Sequence, residues 1–212
     1  MKKVLIALAV LLLGFVGFVA SRPGQFKLTR ATTIAARPEL VYAEIADFHR
    51  WNGWSPWDKI DPAMKREFSG PTSGVGAKYV WTGNDEVGTG SMEIVRAEAP
   101  TSVTIDLRFL EPFAQQNETL FSIRAKDGGS EVDWTMSGAN NFMSKAYGVF
   151  VDVDAMVGGD FEKGLASLKV VAEAAEKKQL EAEAAAKVAA EAEAAAKAAA
   201  DAAHAAEAAA AP

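Results

Sequence analysis

The spacing of apolar positions changes character along the chain, and each change marks an element. Val4 to Ala20 is an almost unbroken apolar run behind Lys2 and Lys3. It predicts a helix near the lower end of the roughly 17–25 residues that cross a bilayer. Arg22-Pro23-Gly24 breaks that helix, and Phe26 to Ala35 reads as a strand. Pro38 suits the first position of a short helix in which Val41 and Ile45 share a face. A loop rich in Trp, Gly and Pro follows. From Met64 onward, strands alternate with turn signals as in an antiparallel meander. Lys78–Thr82 is one strand, with a turn at Gly83-Asn84-Asp85-Glu86, and Thr89–Ala97 is the next. Val103, Ile105, Leu107 and Phe109 alternate with Thr104, Asp106 and Arg108, the pattern of a half-buried strand. Thr119, Phe121 and Ile123 repeat it. After the tight turn at Asp127-Gly128-Gly129, so do Val132, Trp134 and Met136. Asn140 to Ala172 then switches to helical spacing through Met156, Phe161, Leu165 and Leu168. An interruption is expected at Gly158-Gly159, where paired Gly costs roughly 1–2 kcal/mol relative to Ala.

These elements predict an α+β architecture, a curved antiparallel sheet wrapped around a long C-terminal helix. The expected segments are a signal anchor or transmembrane helix over 1–21, a linker over 22–25, a ligand-binding domain over 26–171 and a helical tail over 172–212. In the tail, Glu183 precedes Lys187 and Glu193 precedes Lys197 by four residues, the orientation that stabilises isolated helices by about 0.2–0.5 kcal/mol per pair. Such sequences make semi-rigid spacers of about 1.5 Å per residue. No large apolar residue recurs at coiled-coil positions, so the tail reads as a solvated helix whose partner the sequence does not identify.

Composition narrows the possible chemistry. The chain has 212 residues, a net charge of −6 and no Cys. The acidic balance and the scatter of Lys and Arg give no basis for a nucleic-acid partner. Without Cys there is no disulfide frame and no thiol chemistry. The two His, His49 and His204, are isolated, so no metal site and no cofactor are expected. His204 lies in the tail and reads as solvated, and His49 as a surface or loop residue. Phosphate-loop and dinucleotide signatures are absent, and neither Ser73 nor Ser91 sits in a nucleophile elbow. Glu118 and Asp133 fall out of phase with the inward rows, and Asp85 and Glu86 occupy a turn.

The N-terminal run has two readings. Cleavage after Ala20 would put Phe18 where a small residue is preferred, which favours a retained anchor over a removed signal. With Lys2 and Lys3 on the cytoplasmic side, the body would be exported, to the periplasmic face of the inner membrane in a Gram-negative cell.

The segment from Asp47 to Gly90 carries four of the five Trp. Asp47, Phe48, Trp51, Trp54, Ser55, Pro56 and Trp57 are followed by Asp61-Pro62-Ala63-Met64, Gly70, Gly74-Val75-Gly76-Ala77, Trp81, Gly83-Asn84, Gly88 and Gly90. This resembles the polyketide cyclase/dehydrase-like branch of the START/Bet v 1 (SRPBCC) superfamily. Thr33 to Tyr42 resembles that family's first strand and helix, and Asp154 to Lys169 its terminal helix. The resemblance implies a helix-grip fold with a cavity between sheet and helix. An apolar interior of this kind suits a hydrophobic or amphipathic small molecule, lipids included. Its expected lining is Trp54, Trp57, Tyr79, Trp81, Met92, Leu107, Phe109, Phe121, Trp134 and Tyr147, with Asn84, Asn117 and Tyr147 as orienting polar groups. The alternatives are a cyclase or dehydratase, which needs a carboxylate such as Asp85, Glu86 or Glu118 in the cavity, and a non-catalytic envelope scaffold.

Overall fold

A computed structural model describes residues 1–111 and 114–209, with the side chains of the last helix described as far as residue 202. The order is α1 (Lys2–Ser21), β1 (Gln25–Ile34), α2 (Pro38–Ile45), a 3-10 helix (Phe48–Gly53), α3 (Trp57–Ile60), then β2 (Lys65–Ser69) and β3 (Lys78–Thr82). It continues with β4 (Thr89–Glu98), β5 (Ser102–Glu111), β6 (Gln115–Lys126), β7 (Gly129–Ala139), α4 (Phe142–Phe150) and α5 (Val153–Ala209). The seven strands form one antiparallel sheet in the order β1-β7-β6-β5-β4-β3-β2. The alternation read from the sequence matches the burial. Ile105, Phe121, Ile123, Val132 and Trp134 face the core, and Glu118 and Arg124 face water. Helix α5 crosses the inner face, burying Phe161, Leu165, Leu168 and Ala172 against it. This is the helix-grip arrangement.

Four details depart from the sequence expectation. The Trp-rich segment is not only loop but folds into the 3-10 helix and α3. Lys65–Ser69 is an added edge strand. Its charged residues hide it from a hydrophobic scan, and charge is a usual device for protecting a sheet edge. The terminal helix is two helices, α4 and α5, parted at Val151-Asp152. The Asp152 carboxylate restarts the second by accepting from the Ala155 N–H at 2.9 Å. Conversely, Gly158-Gly159 does not interrupt α5. Arg30 of β1 lies against the helix there, with its Nε donating to Glu162 at 2.9 Å and Nη2 to Asp154 at 2.8 Å. A Cβ on Gly158 would stand 2.0 Å from that Nη2. Gly158 is therefore the gap that admits the arginine, and its helix cost is offset by packing.

Further along α5, Arg37 at the N-cap of α2 binds Glu176 at 2.8 Å and Glu183 at 2.8 Å. These hydrogen bonds hold both carboxyls below their ordinary range. Beyond Glu183 the helix continues exposed as far as its side chains are described. His204 lies outside those described side chains.

Helix α1 is long and apolar enough to cross a membrane, and of its residues only Val19 is buried. Its C-terminal half rests on α4, where the Phe15 and Phe150 rings are 6.2 Å apart.

Candidate ligand-binding site

The inner face of the curved sheet forms a cup that is fully buried at one end and only half-buried at the other. At the buried end, α2 packs on β5, β6 and β7, and Ile34, Ile94, Val103, Ile123 and Val132 are all buried. The tryptophans of the following loop are pinned there by the helix terminus. The last carbonyls of a helix lack partners within it, and here indoles supply them. Trp51 Nε1 donates to Ile45 O at 3.0 Å and Trp54 Nε1 to Glu44 O at 3.2 Å. Glu44 is itself buried and paired with Arg50 at 2.7 Å.

Aromatic rings fill the middle of the cup. Trp54 and Phe121 have no exposed surface, and Trp134 stacks on Phe161 at 4.1 Å and 12°. Trp51, Trp54, Phe121 and Trp134 meet one another at 4.6–6.4 Å. Three of the expected lining residues, Trp54, Phe121 and Trp134, are thus packed into this aromatic centre. Tyr79 and Trp81 are also buried, stacked at 5.9 Å along β3. Gly90 on β4 makes room for the latter, since a Cβ there would lie 2.4 Å from the Trp81 ring.

Burial falls away toward the other end. The register sets Phe26, Gly138, Asn117, Leu107 and Met92 in one row across five strands. Phe109 stands one step further out on β5. Phe26, Met92, Leu107 and Phe109 are only half-buried, as is Trp57 on α3. The row lies at the end where α4 follows β7 and Ser144 Oγ meets Gln115 Oε1 at 3.5 Å, while Trp57 packs on Trp134 and Phe161 at 5.8 and 6.4 Å. Tyr147 is exposed on α4. Asn117 is buried and accepts from Gln115 Nε2 at 3.1 Å, whereas Asn84 is exposed and uses its side chain to close its own turn.

Behind this row lie two polar atoms that the sequence pattern does not flag. Thr119 Oγ1 and Trp134 Nε1 are buried without a hydrogen-bond partner. Thr119 is one register step inward from Asn117, and Trp134 is one further across from Phe121. Such groups typically cost about 1–3 kcal/mol when unsatisfied, so a native interior leaves few of them. Period-two alternation places Thr119 facing inward. Only the structure shows that nothing among the described residues meets its hydroxyl.

The carboxylates are distributed as the alternation implies. Asp85, Glu86 and Glu118 are exposed, and Asp133 pairs with Arg124 at 2.7 Å on the outer face. The inward-facing acid overlooked by sequence reasoning is Asp58 on α3, which binds Arg66 Nε at 2.6 Å. Desolvation first, and the nearby Asp58 charge second, push the Tyr79 phenol up to about 12. His49 stacks on Phe68 at 4.2 Å, half-exposed, with its Nδ1 2.9 Å from Asp47. No set of three or more metal-ligating side chains occurs among the described residues. Two recesses, of about 570 and 240 Å³, touch Asp106: the larger is bordered by Phe26, Asn117 and Gly138 as well as by Gln116 and Glu118, the smaller lies on the outer face beside Val80 and Ser91, and neither reaches Trp54, Phe121 or Trp134.

Comparison with known proteins agrees with this geometry. The family model described as polyketide cyclase/dehydrase and lipid transport matches residues 25–173. None of the curated proteins matches the chain. A protein from Chromobacterium violaceum is similar in structure, with TM-score 0.51 and 14% identity, over 71% of this chain and 98% of its own. A protein of unknown function from Staphylococcus aureus gives TM-score 0.53 and 14% identity, over 72% and 96%. One from Rhizobium leguminosarum gives 0.53 and 12%, over 70% and 95%. At such identities these likenesses speak for the fold.

Proposed function

The chain belongs to the polyketide cyclase/dehydrase and lipid transport family, and on that premise we propose that its cup binds one hydrophobic or amphipathic small molecule, lipids included. The molecule's apolar part lies along Phe26, Met92, Leu107, Phe109 and Trp57, with Tyr79 and Trp81 as the side wall and Tyr147 on the α4 side. Trp54, Phe121 and Trp134 form the floor. Helix α1 holds the protein at a membrane as a retained anchor, with the body on the exported side.

The observation that carries this reading is the pair of unpartnered polar atoms, Thr119 Oγ1 and Trp134 Nε1, behind an apolar row left half-open. An indole N–H only donates, so it selects a ligand oxygen such as that of a carboxyl, carbonyl or ether. A threonine hydroxyl accepts or donates and adapts to either. A chain with one oxygen-bearing end satisfies both atoms and covers the exposed apolar row.

A cyclase or dehydratase would need an acid or base in the cup. The interior groups nearest that role are Asp58 and Tyr79, and the Arg66 ion pair commits the Asp58 carboxylate.

Titration with a fatty acid carrying a nitrobenzoxadiazole fluorophore tests the reading. Saturable binding is expected, abolished by Leu107→Glu in the open row and kept by Val80→Glu on the outer face. Equal binding by both variants, or none by the parent protein, would overturn it.

A further inference from the structure

We propose that α4 is an interfacial helix, seated in the head-group layer of the bilayer that α1 enters, so that the half-buried end of the cup rests on lipid. This rests on α1 being a membrane anchor and not on what the cup carries.

Helix α4 carries an apolar face that the described residues leave largely exposed. On α4, Met143, Tyr147 and Phe150 recur at i, i+4 and i+7, one stripe of a helix. Met143 is 59% exposed, Tyr147 48% and Phe150 79%, with Phe142 beside them at 49%. The helix has no acidic residue, and its one charged residue is Lys145. Single exposed apolar side chains need no explanation, whereas contiguous ones mark a surface that meets something.

The contacts of α1 identify the occupant. Lys145 Nζ donates to Ala20 O at 3.3 Å, and Arg22 Nη2 donates to Gly148 O at 3.2 Å. These bonds fix α4 beside the end of α1, where the chain would leave the bilayer. Phe150 then meets Phe15 further down. At 1.5 Å per residue, Phe15 is roughly 9 Å below Ser21 along the helix. That depth matches the about 5–10 Å to which interfacial helices sink their apolar faces. Lys145 and Arg22 stay at the level of α1's end, where cations meet lipid head groups, while Phe150 lies at the level of the acyl chains. Bilayer contact is thus continuous from α1 onto the α4 stripe.

The same end of the fold holds the half-buried row of the cup. Asn140 N donates to Gly24 O at 2.9 Å, which ties the start of α4 to the start of β1 beside Phe26. Seating α4 in the interface brings that row to the lipid surface.

The absence of Cys makes the test direct. Single cysteines replace Val10, Met143, Phe150 or Val170 in the full chain, each position being exposed. Each carries an environment-sensitive fluorophore, in phosphatidylcholine vesicles containing doxyl-labelled phosphatidylcholine. The expected result is loss of emission at 10, 143 and 150, with shallow doxyl most effective at 143, and no loss at 170 on α5. Quenching at 10 with none at 143 and 150 would overturn the proposal and leave the anchor standing. An emission shift at 143 and 150 without lipid quenching would mean a protein covers the face, and would equally overturn it. No quenching at 10 would sink the anchor and the proposal together.

Discussion

Thr119→Val is the most informative single change, because it moves stability and binding in opposite directions. Valine keeps the branched shape of threonine and removes the hydroxyl. In the ligand-free protein that hydroxyl is buried with no partner, so deleting it removes a desolvation penalty of about 1–3 kcal/mol. Part of this is recovered already if a water enters the cup, so a gain of about 1–2 kcal/mol is expected. For a chain of this size each kcal/mol moves the midpoint by about 2–4 °C, giving a rise of roughly 2–8 °C. With ligand bound, the same hydroxyl makes a hydrogen bond worth about 0.5–1.5 kcal/mol, so affinity for the labelled fatty acid falls about 2- to 10-fold. Denaturant unfolding of delipidated protein and a binding titration measure the two arms. A fall in ligand-free stability would show that the protein satisfies Thr119 internally, and would refute the argument from the orphaned atoms.

Three further sets of changes probe the same architecture. Phe121→Ala empties the floor and should cost about 3–5 kcal/mol, whereas Phe109→Ala at the half-open row should cost less than half of that and mainly weaken binding; unfolding curves and titrations separate them. Gly159→Ala, with open space around its Cβ, should stabilise α5 by about 1 kcal/mol, while Gly158→Ala should destabilise in the parent and stabilise once Arg30→Ala clears the site, read as a double-mutant cycle. Glu176 and Glu183 are held low by Arg37, so their contribution is fully present above the unfolded carboxyl range near about 4.3 and is lost as pH falls through the lower folded values. The melting temperature should therefore lose this contribution only in acid, and Arg37→Gln should flatten that acid limb.

Much of this was legible in the chain because sheet alternation is a strict signal. The phase of Val132 to Met136 assigned inner and outer faces correctly, and that of Thr119 to Ile123 the exposure of Glu118, whereas Thr104, read as alternating outward, is buried on β5. The features that escaped depend on particular partners and not on periodicity. Gly158-Gly159 reads as a helix break until Arg30, far away on β1, is seen lying against it. Lys65–Ser69 lacks an apolar pattern because it is an edge strand, identifiable only by its pairing with β3. The division between α4 and α5 turns on one capping carboxylate at Asp152 within a run that otherwise keeps helical spacing. Trp51 and Trp54 look like ligand-stacking residues as readily as packing ones. Their indoles serve the carbonyls at the end of α2, which no local pattern announces. The site has the same character, since Thr119 and Trp134 stand out only by what fails to meet them.

All five tryptophans, at 51, 54, 57, 81 and 134, stand inside or beside the cup, so their emission reports its contents directly. Titrating the full chain with a dibrominated fatty acid, whose bromines quench indole emission on contact, tests the central claim. The account predicts quenching that saturates at one equivalent and disappears in Leu107→Glu, with the unfolding midpoint of that variant preserved. Emission that stays constant, or that falls without saturating and equally in the variant, would contradict it.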